Sequence, residues 1–497
     1  MWSFDDIAGG VSKGSLRVYR SSLHASGGVT FFMASKDEEK FIGCIGEPIL
    51  RPGHQVGELK GQPIYVGPLS HENAVTIRRR LPWTAPRTLG LATSFGFGDR
   101  LGLATPGHIR SVRGSGLAPI FAQQSIREMT RTQRTPDEVM DAATWGVLQE
   151  GWTDGFGSDG DHLQKPEDID YTLASGFTLF TIDPGAHVEN AADTDDAATL
   201  QAKSAKVDLA TLDASVADLT ARYVGKVIDL GGTKINFDQP ALMRAIVKYG
   251  NAIAHTVKMY RHLASVAKTP FELEVSVDET ASPTTPGEHY FFANELKRCG
   301  VKWVSMAPRF IGRFEKGVDY IGDTDAFAKS FAEHVAVMKA IGPYKMSIHS
   351  GSDKFSIYPI VAQLAGPYVH VKTAGTSWLE AVRAIGTIDP ALFKQVLDFA
   401  HERYETDKAS YHVSADASKV PHGAELSDAA APSVLDGFDG RQLLHVTFGS
   451  ILTAKKPDGS SLFRDRILSA LRRDEETHYD VLQRHLGRHV QPFVKGK

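Results

Sequence analysis

The stretch GSDGDHLQKPED, residues 157–168, sets two aspartates and a histidine among glycines and then turns into a polar helix start. Asp159, Asp161 and His162 read in two ways. In an isolated loop they are solvated turn residues. At the carboxyl end of a buried strand they can hold a metal or move a proton. The surroundings decide. From about residue 88, short apolar runs end in glycine or polar residues and alternate with helical stretches. Eight such runs occur: TLGLATSFG (88–96), LAPIFAQQS (117–125), EGWTDGFGSDGDH (150–162), GFTLFTIDPG (176–185), FELEVSVDET (271–280), VKWVSMAPRF (301–310), YKMSIHSGSD (344–353) and YVHVKTAGTS (368–377). Amphipathic segments such as EHYFFANELKRCG (288–300) and FAKSFAEHVAVMKAIG (327–342) lie between them. Strand, polar end and helix, repeated, predict an α/β fold of the (β/α)8 barrel kind. Such barrels gather their chemistry at the carboxyl ends of the strands, and the opening stretch ends the third one.

The rest of the chain is arranged around that barrel. Residues 1–87 predict a small strand-rich domain: SLRVYRSS, GGVTFFMAS, EKFIGCIGE and QPIYVGP are short, β-branched and aromatic, and broken by Gly and Pro. A helix follows at HENAVTIRRRL, stopped by Pro82, with Arg78, Arg79 and Arg80 read as its solvated end. The barrel spans 88–440. Its fourth and fifth strands are separated by an insertion, residues 184–243, with a helix over 197–224 and a hairpin at GKVIDLGGTKINF (225–237). An excursion of that length above the catalytic face predicts a lid or an oligomer contact. Residues 441–497 predict a charged helical extension packed on the barrel or on a second subunit.

Composition narrows the function. The chain has 497 residues, 42% hydrophobic and 23% charged, with a formal net charge of −4. That suits a globular enzyme and leaves no broad basic field for nucleic acid or anionic lipid. Two cysteines are too few for a disulfide framework or a zinc finger. MWSFDDIAGG at the start has no basic-then-apolar leader pattern, and no run of about 18 apolar residues occurs. A cytoplasmic location is expected. GFGDRLG (96–102) lacks the spacing of a dinucleotide fingerprint, and there is no P-loop and no G-x-S-x-G elbow.

Strand alternation puts Glu272, Glu274, Ser276 and Asp278 on one face of the fifth run. An acid in mid-strand costs several kcal/mol unless it is paired, hydrogen-bonded or bound to a metal. Asp278 and Glu279 read equally as loop caps or ligands. His349 ends the seventh run and precedes the small turn Ser350-Gly351-Ser352, with Lys354 beyond it. Imidazoles and carboxylates from separate strands suit zinc, manganese, nickel or cobalt. Further candidates at strand ends are Asp99, Gln123, Gln124, Ser125, Asp183, Arg309, Glu315, His370, Lys372 and Thr373. Many amides, hydroxyls and cations with few aromatics point to a small hydroxylated anion such as a sugar acid.

The motifs FAQQSIRE, GDHLQKPED, FELEVSVDET, APRFIGRFEKGVDYIGD, SIHSGSDKFSIYP, HVKTAGTSWLEA and YHVSADASKVP resemble those of the tagaturonate/fructuronate epimerase family, over about residues 88–490. The resemblance implies a metal-dependent barrel enzyme that interconverts two keto-sugar acids differing at one hydroxyl. Some close relatives act on the neutral ketoses tagatose and fructose. It further implies His162, Glu315 and His349 as the ligands of a divalent metal, with His370 as the first substitute for Glu315, and Asp161 and Glu274 as the acid/base pair. Gln124, Ser125, Asp183, Arg309, Lys354 and His370 are the expected substrate contacts. With the carbonyl at carbon two, the hydrogen on carbon four is not acidified, so direct deprotonation is poor. Two routes remain: transient oxidation of the hydroxyl, which needs a nicotinamide for which the sequence shows no site, and retro-aldol cleavage between carbons three and four followed by re-addition to the other face. An aldolase or aldose–ketose isomerase on the same barrel, or a non-catalytic sugar-binding protein, are the alternatives. A homo-oligomer is compatible with all of these.

Overall fold

A computed structural model of the chain describes residues 16–494; the start of the chain, on which the expectation of no leader rests, lies outside the described residues. The first five strands are β1 (Leu16–Ser26), β2 (Val29–Lys36), β3 (Glu39–Ile45), β4 (His54–Leu59) and β5 (Gln62–Pro68). They form an antiparallel sheet in the order β1-β2-β3-β5-β4. Phe31, Met33, Ile42 and Cys44 on one face of the sheet pack with Trp145 and Leu148 of the helix Pro136–Glu150, which belongs to the barrel. The helix His71–Arg80 is capped by Ser70 and ends before Pro82. Its arginines are not all solvated: Arg78 Nη1 lies 2.8 Å from Asp141 of that same barrel helix. Cys44 and Cys299 are free thiols.

Each of the eight apolar runs contains a strand. They are β6 (Ser94–Gly98), β7 (Ala118–Ser125), β8 (Gly157–Leu163), β9 (Leu179–Ile182) and, after a small hairpin of β10 (Val227–Asp229) and β11 (Lys234–Asn236), β12 (Glu272–Val277), β13 (Ser305–Pro308), β14 (Lys345–Ile348) and β15 (Val369–Lys372). All pairings within the barrel are parallel, and β12 pairs with β9 to close it. The strands carry an apolar face outward, toward helices such as Pro286–Arg298 and Thr324–Ile341, and a polar face inward. Register sets the inward row: Glu274 lies beside Thr181 on one side and Ser305 on the other, and His370 beside Ser94 and Ser347.

The insertion departs from expectation in two ways. The helix expected over 197–224 is two helices, Ala197–Ser204 and Val216–Tyr223. The chain turns between them, where Asp208 accepts from the backbone and hydroxyl of Thr211. The insertion also packs against the barrel wall: Tyr223 and Arg222 both bond the buried Glu295 of the helix Pro286–Arg298. Helices from Thr376 onward share one apolar cluster that includes Trp378, Leu397, Phe448 and Leu471, with residues from both sides of position 440. No helix among the described residues is long and apolar enough to cross a membrane.

Candidate active site

Strand β8 delivers the opening stretch to the barrel mouth. Asp159 and Asp161 alternate inward, and both are buried. His162 then takes φ +53°, a left-handed conformation uncommon for a residue with a side chain. This turn sends its ring beside Asp161, with Nδ1 2.8 Å from Asp161 Oδ1.

Lys372, ending β15, sits at the centre. Its Nζ lies 2.8 Å from Asp159, 2.6 Å from Asp161 and 2.8 Å from Glu274, and donates to Thr181 Oγ1 at 2.7 Å. Burial alone would strip its proton, yet the three carboxylates outweigh burial and hold the ammonium well above its ordinary range. Among the acids, burial works upward against the cations. It prevails at Asp159, which is pushed up to about 6. At Asp161 the charges of His162 and Lys372 prevail, and at Glu274 those of Lys372 and His349, so both stay well below the usual carboxylate range.

Glu274 is fully buried, and both of its oxygens are engaged. Oε1 accepts from His349 Nε2 at 2.7 Å and Oε2 from Ser305 Oγ at 2.5 Å. The other ring nitrogen of His349 lies 3.3 Å from Asp278 Oδ1, and His162 Nε2 lies 4.0 Å from the same oxygen. One ligand atom each from His162, Asp278 and His349 falls within 4.8 Å of the others. Each imidazole thus has a carboxylate, Asp161 or Glu274, on its far nitrogen, the arrangement that orients metal-binding histidines. Three carboxylates share the Lys372 ammonium and Asp278 adds a fourth beside the imidazoles, a surplus of negative charge that suits a dication. The site's response to that surplus is visible in His162, which Asp161 holds at about 10 despite burial. The donor set fits the metal inferred from the sequence.

The third member of this group is Asp278, where the resemblance implied Glu315. Glu315 Oε2 instead accepts from Ser414 Oγ at 2.7 Å and Gln442 Nε2 at 2.9 Å, tying its loop to the carboxyl-terminal region. His370, the expected substitute, is not in this group: its Nδ1 lies 2.9 Å from Ser94 Oγ. Lys354 spends all three N–H bonds on the carbonyls of Glu315, Val318 and Ser352 (2.8, 2.5 and 2.9 Å), leaving none for a substrate. Asp183 accepts from Gln164 Nε2 and the Gly185 amide. Ser125 caps the helix Ile126–Thr132 with Glu128 and lines the cleft over the metal group, whereas Gln124 is buried without a hydrogen-bond partner among the described residues. Arg309 lines an adjoining groove that also reaches His349 and Asp278.

The cleft itself is lined by Asp161, His162, Asp278, His349 and Lys372 and also by Arg100, Lys316 and His445. None of its lining residues comes from 184–243. Arg100, Lys316 and His445 had little signal in the sequence. Arg100 follows Asp99 at the end of the first run, Lys316 follows Glu315, and His445 lies on a helix that no motif connects to the barrel.

A profile of the tagaturonate epimerase family matches residues 19–493. The tagaturonate/fructuronate epimerase of Thermotoga maritima is 41% identical over 476 residues, covering 95% of this chain and 96% of the relative. The native crystal structure of fructuronate-tagaturonate epimerase from Cohnella laeviribosi superposes with a TM-score of 0.91 at 40% identity, covering 97% of each chain. The same enzyme with one bound glycerol superposes equally well, at a TM-score of 0.91.

Proposed function

The chain belongs to the tagaturonate epimerase family, and from that premise we propose that it interconverts fructuronate and tagaturonate at carbon four (ketose numbering) by cleaving and re-forming the bond between carbons three and four, with a divalent metal at His162, Asp278 and His349. The observation that supports this most is the shared ammonium. Asp161 and Glu274, on strands β8 and β12, are joined through Lys372 at 2.6 and 2.8 Å, directly beside the imidazole pair.

The reaction runs as follows. A carboxylate takes the proton of the carbon-four hydroxyl. The electron pair of the breaking bond stays on carbon three, giving an enediolate of the three-carbon ketone, and carbon four becomes an aldehyde. The aldehyde turns its other face, the enediolate carbon adds to it, and the new oxyanion regains a proton from the opposite side. A divalent cation at the His–Asp–His group would supply the charge that stabilises the enediolate.

Asp161 lines the cleft and is placed to exchange a proton with the substrate oxygen. Glu274 reaches the cleft through Lys372 and His349. Lys372, hydrogen-bonded to both, can give a proton to one carboxylate as it takes one from the other, so that it stays an ammonium and no heavy atom moves. The two acids can thereby exchange roles with direction, as a reversible epimerisation requires. Lys372 also presents positive charge to the carbon-four oxygen when it is an alkoxide.

The test is to supply the metal-loaded protein with fructuronate, tagaturonate, fructose and tagatose separately and follow products by NMR. Fructuronate and tagaturonate converting into each other supports the assignment. Accumulation of free three-carbon fragments would make the protein an aldolase, and binding without turnover would make it a sugar-binding protein.

A further inference from the structure

The cleft is lined by two unlike groups of side chains, and only the first, with Asp161, His162, Asp278, His349 and Lys372, is used by the chemistry above; Arg100, Lys316 and His445 make up the second. Arg100 is buried, its Nε and Nη2 both donating to Glu128 Oε1 at 3.0 and 2.8 Å, and its guanidinium lies 3.6 Å from the centre of the Phe448 ring. This fixes the guanidinium plane. The remaining nitrogen, Nη1, is buried and has no hydrogen-bond partner among the described residues. His445, also buried and lining the same cleft, has its Nδ1 unpartnered among the described residues. Gly375 permits this approach: a Cβ there would lie 2.0 Å from the His445 ring. Burial, and then the charges of Arg100 and Lys316, hold the His445 imidazole well below its ordinary range, and all three residues line the same cleft. Lys316 donates to Ser350 Oγ at 2.6 Å, a neutral partner, and this leaves the Ser350 hydroxyl hydrogen free to donate in turn.

We propose that Arg100 and Lys316, with Ser350 and His445 beside them, form the subsite for the substrate's carbon-six carboxylate and set the preference for sugar acids over neutral ketoses. This inference rests on the epimerase reading. A guanidinium held flat by Glu128 and Phe448 presents the preorganised Nη1 amino group with its two N–H bonds. Lys316 adds a mobile charge, and charge-assisted bonds of this kind are stronger than bonds to a hydroxymethyl group. The placement has a consequence for the mechanism. Cleavage leaves the carboxylate on the aldehyde fragment. A subsite that grips the carboxylate lets the aldehyde turn about the adjoining carbon–carbon bond without leaving, and this retention distinguishes an epimerase from an aldolase.

The test uses Lys316→Met, at a half-buried position, and Arg100→Lys, which keeps the charge beside Glu128 and removes the fork. Thermal unfolding and metal content establish that each variant is folded and loaded. Inhibition of the epimerase reaction by glycerate, which matches carbons four to six, is compared with inhibition by dihydroxyacetone, which matches carbons one to three. In both variants the glycerate inhibition constant should rise at least about 10-fold and kcat/KM for fructuronate should fall about 100-fold, with dihydroxyacetone inhibition unchanged. Equal weakening of both inhibitors, or of neither, overturns the subsite. A wild-type protein that interconverts no sugar acid would overturn the epimerase reading instead, so the two failures are distinct.

Discussion

Replacing Lys372 with Met removes the one ammonium shared by Asp159, Asp161 and Glu274. Each contact lies at 2.6–2.8 Å. At an effective dielectric constant near 20, two unit charges at that distance attract by about 6 kcal/mol before desolvation is subtracted. Three such contacts cannot all appear in the net stability, because burying the ammonium costs several kcal/mol and the stranded carboxylates take up protons in its absence. The expected net loss is about 3–5 kcal/mol, the range for breaking a buried charge pair. Methionine fills the space, so the loss reports charge and not a cavity. Adding Glu274→Gln removes one of the stranded negative charges and should return part of the stability, a favourable coupling of about 1–3 kcal/mol. It should return none of the turnover, which is expected to be at least about 100-fold below wild type in both variants. Denaturant unfolding of the metal-free proteins, with turnover of the loaded ones, measures both quantities. A Lys372→Met protein as stable as wild type, or a double variant less stable than the sum of the singles, would refute the reasoning that this lysine compensates three buried acids.

Other outcomes are expected at separate sites. His162→Ala, Asp278→Ala and His349→Ala should each lower bound divalent metal by elemental analysis, and Glu315→Gln should leave it unchanged; full occupancy in the first three would remove these ligands. Asp161→Asn should fold and bind substrate while losing about two to four orders of magnitude in kcat. Glu274→Gln should do the same if it carries protons, whereas a Glu274 that only positions His349 should show up as weakened metal binding, restored by raising the metal concentration. Stability should fall on mild acidification. Burial depresses His108, His334 and His478 to about 4 each, so between pH 6.5 and 4 the unfolded chain binds protons that the folded one refuses. At pH 5 each costs up to about 2 kcal/mol, and thermal unfolding insensitive to pH between 7 and 5 would contradict it.

The barrel was legible because each of its strands is an apolar run closed by a turn, a local pattern. All eight runs contain one of the strands now seen in the barrel. The acids were legible for a related reason: alternation places Glu274 and Asp278 inward, and an acid mid-strand demands a partner. What alternation could not show is who the partner is. Lys372 was visible as a polar strand end, but its three acidic contacts come from strands far away in sequence. Asp278 and Glu315 illustrate the same limit. Both are acids after a barrel strand, and only the three-dimensional path shows Asp278 turned to His349 and Glu315 turned to Ser414 and Gln442. Lys354 reads as a free cation beside a small turn, yet it is consumed by three backbone carbonyls. The Arg100–Lys316–His445 group needed contacts between the barrel and the carboxyl-terminal helices, which no motif spacing encodes. In the insertion, apolar periodicity ran through the turn at Asp208 and merged two helices into one.

The central claim is that carbon four is inverted by breaking a carbon–carbon bond and not by removing its hydrogen. The most direct measurement runs the metal-loaded protein with fructuronate in heavy water through many turnovers and reads carbon four of the tagaturonate by NMR. The account predicts tagaturonate with ordinary hydrogen at carbon four, formed without added nicotinamide. Deuterium at that carbon would contradict it.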